Sequence, residues 1–98
     1  MSELHLYDII KRPVITEKSV ELAEINNQYV FEVDMRANKI QIAEAVFKIF
    51  DVDVLDVKTM IVPAKRGTRG RRKYVRHTAW KKAIVTLRPG QTIAAFNL

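Results

Sequence analysis

In the stretch 28-QYVFEVDMRANKIQIAEAVFKIF-50, the spacing of the apolar residues changes midway from a period of two to a helical period. The fold class follows from that change. In its first part, Tyr29, Phe31 and Val33 alternate with Glu32 and Asp34, which is typical of a strand with one buried face. The stretch therefore predicts a half-buried strand that is followed closely by a helix.

The second part of the stretch predicts the helix that covers the sheet. Asn38 is a favourable N-cap, and Gln41 stands at the capping-box position three residues later. Asp51-Val52-Asp53 is expected to end this helix. Apolar residues recur at helical spacing, and further apolar residues widen the stripe. The stripe consists of Ile40, Ala43, Phe47 and Phe50, widened by Ile42, Val46 and Ile49.

Two more strands are predicted downstream. The β-branched segment from Val54 to Ala64 indicates one strand, and the alternating segment from Lys82 to Arg88 indicates another. Pro89-Gly90 predicts a turn. The residues expected to face the core are Leu55, Val57, Ile61, Ala83, Val85 and Leu87, with Ile93 and Phe96 packing back from the tail.

Upstream of the first strand, the sequence predicts an extended segment and a second helix. Residues 11–15 are expected to be extended, because a residue that precedes proline is biased away from helix. Thr16 is a good N-cap for a helix from Glu17 to about Ile25, and a carboxylate in the first turn suits the helix dipole. Asn26-Asn27 is a plausible stop, since Asn tolerates the left-handed conformation.

Together these elements predict a single α+β domain that spans residues 1–98. Its fold class is a split β-α-β with a three-stranded antiparallel sheet, in the order 1-3-2, covered by helices. A strand-helix-strand crossover leaves its two strands parallel, and the last strand lies between them. A long basic loop over residues 65–79 joins the last two strands. A structureless loop of this length in a small domain is normally functional.

Charge divides the chain unevenly. Residues 1–56 contain 11 acidic and 6 basic residues, whereas residues 57–98 contain 11 basic residues and no acidic one. Nine of these bases fall within residues 65–82. Such a block repels itself unless a polyanion neutralises it, and nucleic acid is the usual polyanion. An anionic membrane is the weaker candidate, because the block lacks an apolar stripe.

The segment 65-KRGTRGRRKYVRH-77 predicts contact with RNA. Guanidinium forks bind phosphate bidentately, and Tyr74, His77 and Trp80 add rings that can stack on the unpaired bases of RNA. If five or six phosphates are engaged, the log of affinity falls against the log of salt concentration with a slope of about −4 to −5. A solvated loop that binds nothing is the plainer alternative, and Trp80 could equally anchor the loop to the core.

The same composition argues against an enzyme, a cofactor site or a metal site. Cysteine is absent and only two histidines occur, so thiol catalysis and His/Cys metal centres are not expected. Asp51, Asp53 and Asp56 could hold a divalent metal in a nuclease, but they are better explained as residues that end a helix. No apolar run approaches the roughly 18 residues of a membrane span.

Four segments resemble the family of large ribosomal subunit protein twenty-three. The stretch 10-IKRPVITEKS-19 resembles the N-terminal signature of the family, and 38-NKIQIAEAV-46 resembles its central helix. The segment 57-VKTM-60, the basic loop, and 80-WKKAIVTL-87 with 89-PGQ-91 resemble the remaining parts. The similarity covers nearly the whole chain in the same order. The short N-terminus lacks the long basic extension of eukaryotic members, so the resemblance is to bacterial or organellar ones.

This resemblance implies an RNA-binding constituent of the cytoplasmic ribosome. The partners it implies are large-subunit rRNA and ribosomal protein twenty-nine beside the exit of the polypeptide tunnel, and trigger factor and the signal recognition particle docked on the globular surface. The docking glutamate of the family corresponds to Glu17. From its position alone, Glu17 would be an ordinary acidic residue in the first turn of a helix. The expected RNA-binding residues are Arg12, Lys39, Lys58, Lys65, Arg66, Arg69, Arg71, Arg72, Lys73, Arg76, Trp80, Lys81 and Lys82.

A free-standing protein that binds single-stranded RNA outside any particle is the competing hypothesis. Sedimentation of a cell extract separates the two, because only a ribosomal protein travels with large subunits.

Overall fold

The computed structural model describes residues 5–69 and 72–94, and the side chains of these residues outside the range 65–77. Helices and strands follow one another along the described part of the chain. The helices are α1 (Leu6–Ile9), α2 (Glu17–Asn26) and α3 (Lys39–Phe50). The strands are β1 (Ile10–Pro13), β2 (Gln28–Val33), β3 (Val54–Val62), β4 (Lys65–Arg69), β5 (Arg72–His77) and β6 (Trp80–Leu87).

The main sheet has four antiparallel strands in the order β1-β2-β6-β3. The predicted α+β class is confirmed, and so is the order of the three expected strands, with β6 between β2 and β3. The predicted number of strands is wrong, because β1 adds a fourth at the edge next to β2. This strand is four residues long and its register shifts between Ile10 and Arg12, so it is too short and irregular to show alternation.

The expectation of a structureless loop over residues 65–79 is also wrong. The backbone of β4 pairs with that of β5 in an antiparallel hairpin, which we call the arm (residues 65–77). We call the rest of the described chain, residues 5–64 and 78–94, the body. The sequence concealed these strands because Gly and charged residues are poor strand formers and the segment shows no apolar alternation.

Both longer helices begin at the predicted caps. The Thr16 side chain accepts a hydrogen bond from the Ser19 N–H at 3.1 Å, and the Asn38 side chain accepts one from the Gln41 N–H at 2.8 Å. In each case the third residue of the helix accepts a bond from the N-cap backbone in return, which completes a capping box. Both helices then stop at a left-handed residue, Asn27 with φ 57° and Asp51 with φ 55°.

The core lies on one face of the sheet. As predicted, Tyr29, Phe31 and Val33 of β2 are buried, and Phe31 is fully inaccessible with its ring 5.5 Å from that of Phe50. The three predicted apolar residues of β6 are buried beside them, as are Val57 and Ile93. The helices complete this one cluster with Ile9, Ala23, Ile42, Ala45 and Val46.

Four residues that were expected in the core are instead exposed. Ile40 of α3 is 78% exposed and Phe47 is about half exposed. Because α3 is apolar almost all round, its sequence permits two stripes, and the one centred on Ile42 and Val46 is buried. In β3, Leu55 is 62% exposed because it is the extra residue of a bulge between Val54 and Asp56. Ile61 lies near the end of β3 and is exposed. Phe96 lies outside the described residues.

The predicted turn at Pro89-Gly90 is present, and Gly90 has a φ of +93° that favours glycine. The residues on both sides of this turn are fixed by polar contacts to Asp53 and Asn27. The Gln91 side-chain oxygen accepts a hydrogen bond from the Asp53 N–H at 2.6 Å. The Asn27 side-chain amide donates to the carbonyls of Leu87 and Arg88, both at 2.9 Å.

Candidate functional site

The arm contains the densest cationic sequence in the chain, and its backbone register brings like charges opposite one another. Seven bases fall within residues 65–77. Arg69 pairs with Arg72 in the ladder, and Thr68 pairs with Lys73. Like charges at opposite positions destabilise a strand pair, and an isolated two-stranded hairpin is marginally stable in water. A bound polyanion would relieve this repulsion.

Three further predicted RNA-binding bases lie on the face of the main sheet that is opposite the core. Lys82 of β6 stands between Glu32 of β2 and Met60 of β3. Lys58 lies two residues before Met60 on the same face, and Arg12 of β1 pairs with Glu32. We call this surface the open face, defined by Arg12, Lys58, Lys82, Glu32 and Met60. Lys58 and Arg12 are exposed, and Lys82 is half-buried.

The acid that contacts an arginine on this surface is Glu32, to which the sequence assigned no role. The Glu32 carboxylate accepts a hydrogen bond from the Arg12 Nε at 2.8 Å. Its position could have been noticed from the alternation of β2, which directs Glu32 away from the core. The identity of its partner could not, because β1 was not predicted as a strand.

Lys81 was expected to bind RNA together with Lys82, but the structure separates the two. Lys81 shares its rung with Val33 and Ile61, on the face that carries the core. Its ammonium donates a hydrogen bond of 2.6 Å to the carbonyl oxygen of Ala37, a buried residue just before the cap of α3. Lys81 therefore fixes the entry of α3 to the central strand.

The remaining predicted sites differ in where they lie. Trp80 is half-buried opposite Val62, at the point where the arm joins the sheet. Lys39 begins α3 and lines a groove with Ile40 and Leu55 at the β3 edge, so it does not belong to the open face. The side chains of seven predicted bases lie outside the described set, namely Lys65, Arg66, Arg69, Arg71, Arg72, Lys73 and Arg76.

Glu17 is exposed in the first turn of α2, beside a shallow groove of about 400 Å³. The groove combines the apolar side chains of Ile15 and Val20 with the acids Glu17, Glu21 and Glu24. The exposed side of α2 is therefore acidic around an apolar floor, in contrast to the cationic arm and open face.

Two of the three acids considered for a metal site have structural roles. Asp51 is the left-handed C-cap of α3, and the Asp53 carboxylate accepts hydrogen bonds of 3.4 Å from Arg88 and Gln91. Within the described ranges, no group of three or more His, Cys, Asp or Glu side chains is placed to hold a metal ion. None of the helices in the described chain is long and apolar enough to cross a membrane.

Comparison with known proteins gives a consistent result. A family model described as Ribosomal protein L23 matches residues 8–95. The large ribosomal subunit protein uL23 of Desulfatibacillum aliphaticivorans is 51% identical over 94 residues, which cover 96% of this chain and 98% of that protein. The protein of the same name from Heliobacterium modesticaldum is 52% identical over 93% of this chain and 94% of its own length. The one from Geobacter sulfurreducens is 45% identical over 97% of this chain and 100% of its own length.

Proposed function

The chain belongs to the ribosomal protein L23 family, and from this premise we propose that its arm and open face hold it on the RNA of the large ribosomal subunit beside the polypeptide exit tunnel. It is a structural constituent of that subunit, in a family of ribosomal proteins and not of enzymes. Bacterial members act in the ribosomes of the cytoplasm, and this chain has the same location.

The observation that carries the rRNA proposal is the distribution of charge over the fold. Every acid of the chain falls within residues 1–56, whereas the arm contains seven bases and no acid. Lys58 and Lys82 continue the positive charge onto the open face. Phosphate contacts dominate the affinity of proteins for nucleic acids, so a cationic arm of this kind supports RNA binding directly.

A charge reversal in the arm tests this proposal. We expect replacement of Arg69, Arg71 and Arg72 by Glu to abolish binding to an rRNA transcript and to leave the far-UV circular dichroism of the body unchanged. The control is the same replacement at Arg36, Lys48 and Arg88, three exposed bases that pair with acids of the body. Equal losses in both variants, or retained binding in the arm variant, would contradict the assignment of the arm.

Incorporation into the particle is tested separately. A tagged copy of the chain should sediment with large subunits in a cell extract and resist moderate salt washing. Crosslinking on the intact subunit should join the body to ribosomal protein twenty-nine. Recovery of the chain only in fractions lighter than the subunit would instead support a free-standing RNA-binding protein.

We further propose that the surface of α2 around Glu17 is the docking site for trigger factor and the signal recognition particle. Its support is the family position of Glu17, its exposure, and the acidic rim around the apolar floor of Ile15 and Val20. Glu17→Ala should weaken the binding of both factors to ribosomes without removing the chain from the subunit. Glu44→Ala on α3 is the matched control, and equal factor affinity in both variants would argue against the site.

A further inference from the structure

The pair of Arg12 and Glu32 on the open face has a geometry that bears on phosphate binding. The Glu32 carboxylate accepts from the Arg12 Nε at 2.8 Å, and this is the contact that the Arg12 guanidinium makes within the described part of the chain. A guanidinium that is held through Nε can still offer its terminal nitrogens as a fork for an anion. We propose that Glu32 is a positioning residue that orients Arg12 toward a phosphodiester of rRNA, an inference that rests on the proposed RNA-binding role of the open face.

Glu32 is held more firmly than Arg12, as a residue that positions the arginine must be. Glu32 lies in β2, which is paired on both sides, with Arg12 on one neighbour and Lys82 on the other. Its side chain is 20% exposed, whereas that of Arg12 is 64% exposed. Arg12 lies in the short edge strand β1, next to a shift in register. The carboxylate is thus the fixed member, and the guanidinium is the member presented to solvent.

A simpler account makes the opposite prediction. If Glu32 were only an acid on a basic surface, it would repel RNA, and its removal would strengthen binding through long-range electrostatics. If it orients Arg12, its removal frees the arginine side chain, which must then lose its mobility when RNA binds. The sign of the change in affinity therefore distinguishes positioning from plain repulsion. An ion pair whose arginine is 64% exposed contributes little to folding, so both accounts expect a nearly unchanged melting temperature.

The experiment measures the affinity of the full chain for an in vitro transcript of bacterial large-subunit rRNA at fixed salt. We expect Glu32→Ala, which removes the acceptor of the Arg12 Nε–H bond, to weaken binding by about 2- to 10-fold, the range that corresponds to immobilising one long side chain. Arg12→Lys keeps the charge and loses the fork, and it should weaken binding by a similar factor.

A second substitution supplies the decisive comparison. In an Arg12→Gln background, Glu32 has no arginine to orient, so Glu32→Ala should now strengthen binding. The change of sign between the two backgrounds is a result that a purely structural role of Glu32 would not produce. Tighter or unchanged binding of the Glu32→Ala variant in the native background would overturn the inference. Failure of the unaltered chain to bind the transcript would overturn the proposed function itself.

Discussion

In the body, β2 and β6 share a ladder whose core-facing residues are buried under three helices, while in the arm β4 and β5 share a ladder of mainly cationic sequence. The body mixes acids with bases and satisfies its helix ends with capping boxes. The arm contains seven bases and no acid. The difference shows that one short chain separates two features, since apolar burial stabilises the body while positive charge is concentrated in the arm.

The largest expected effect tests whether the body is stabilised by its core. Phe31 is fully buried and contacts Phe50, so Phe31→Ala should lower the free energy of unfolding by about 3–5 kcal/mol. Urea denaturation measures this loss. Neutralising Arg69, Arg71 and Arg72 with Gln should change it by less than about 0.5 kcal/mol. A large loss of stability in the arm variant would show that the two regions are not energetically separate.

The next effect separates two adjacent lysines that were both predicted to bind RNA. Lys81→Met should cost about 1–3 kcal/mol, because it leaves the buried Ala37 carbonyl without its ammonium donor. Lys82→Met should leave stability nearly unchanged and should weaken RNA binding. Thermal denaturation and a transcript-binding assay on both variants check this pair. Equal stability losses at the two positions would contradict a structural role that belongs to Lys81 alone.

Removal of a helix cap should have a smaller effect, confined to the body. Asn38→Ala deletes a side chain that accepts a hydrogen bond from the Gln41 N–H, at a cost of about 1 kcal/mol. Asn38→Asp retains an acceptor and should retain most of the stability. RNA affinity should be unchanged in both variants, and a parallel loss of affinity would indicate that α3 supports the arm.

The smallest effect concerns acid pH. Hydrogen bonds from the Arg36 side chain and backbone lower the pKa of Asp34 below its ordinary value of 3.8. A carboxyl whose folded pKa is depressed stabilises the protein above its unfolded pKa, and this contribution is lost as the pH falls through the folded pKa. Asp34→Asn should therefore flatten the decline in stability below about pH 4. High salt should shrink the difference, because the Arg36 side chain is 65% exposed.

The parts of the fold that could be predicted are those where a local sequence pattern is compatible with only one structure. The alternation of β2 and β6 and the caps at Thr16 and Asn38 are of this kind. The buried side of α3 was not, because Ile40 and Ile42 begin two equally apolar stripes and only packing selects between them. The strands of the arm were missed because the segment is rich in Gly and charged residues and shows no apolar alternation.

The composition of the candidate site could be predicted, but its geometry could not. The sequence located the cationic segment, because charged residues can be counted along the chain without knowledge of the fold. It did not separate Lys81 from Lys82, because the predicted strand began at Lys82; β6 in fact begins at Trp80, so Lys81 continues the inward positions of Ala83 and Val85. The role of Glu32 was missed because its partner Arg12 is brought to it by a strand too short to be detected.

The central position of β6 also constrains the order of events during synthesis of the chain. β2 and β3 are joined only through β6, which is the latest of these strands in the sequence. Until residues 80–87 have been translated, β2 and β3 lack their shared neighbour and the core face of the sheet cannot close. Such dependence on distant pairing slows folding and leaves apolar edges open in the meantime. The nascent protein should therefore remain vulnerable to aggregation and proteolysis until late in its own translation.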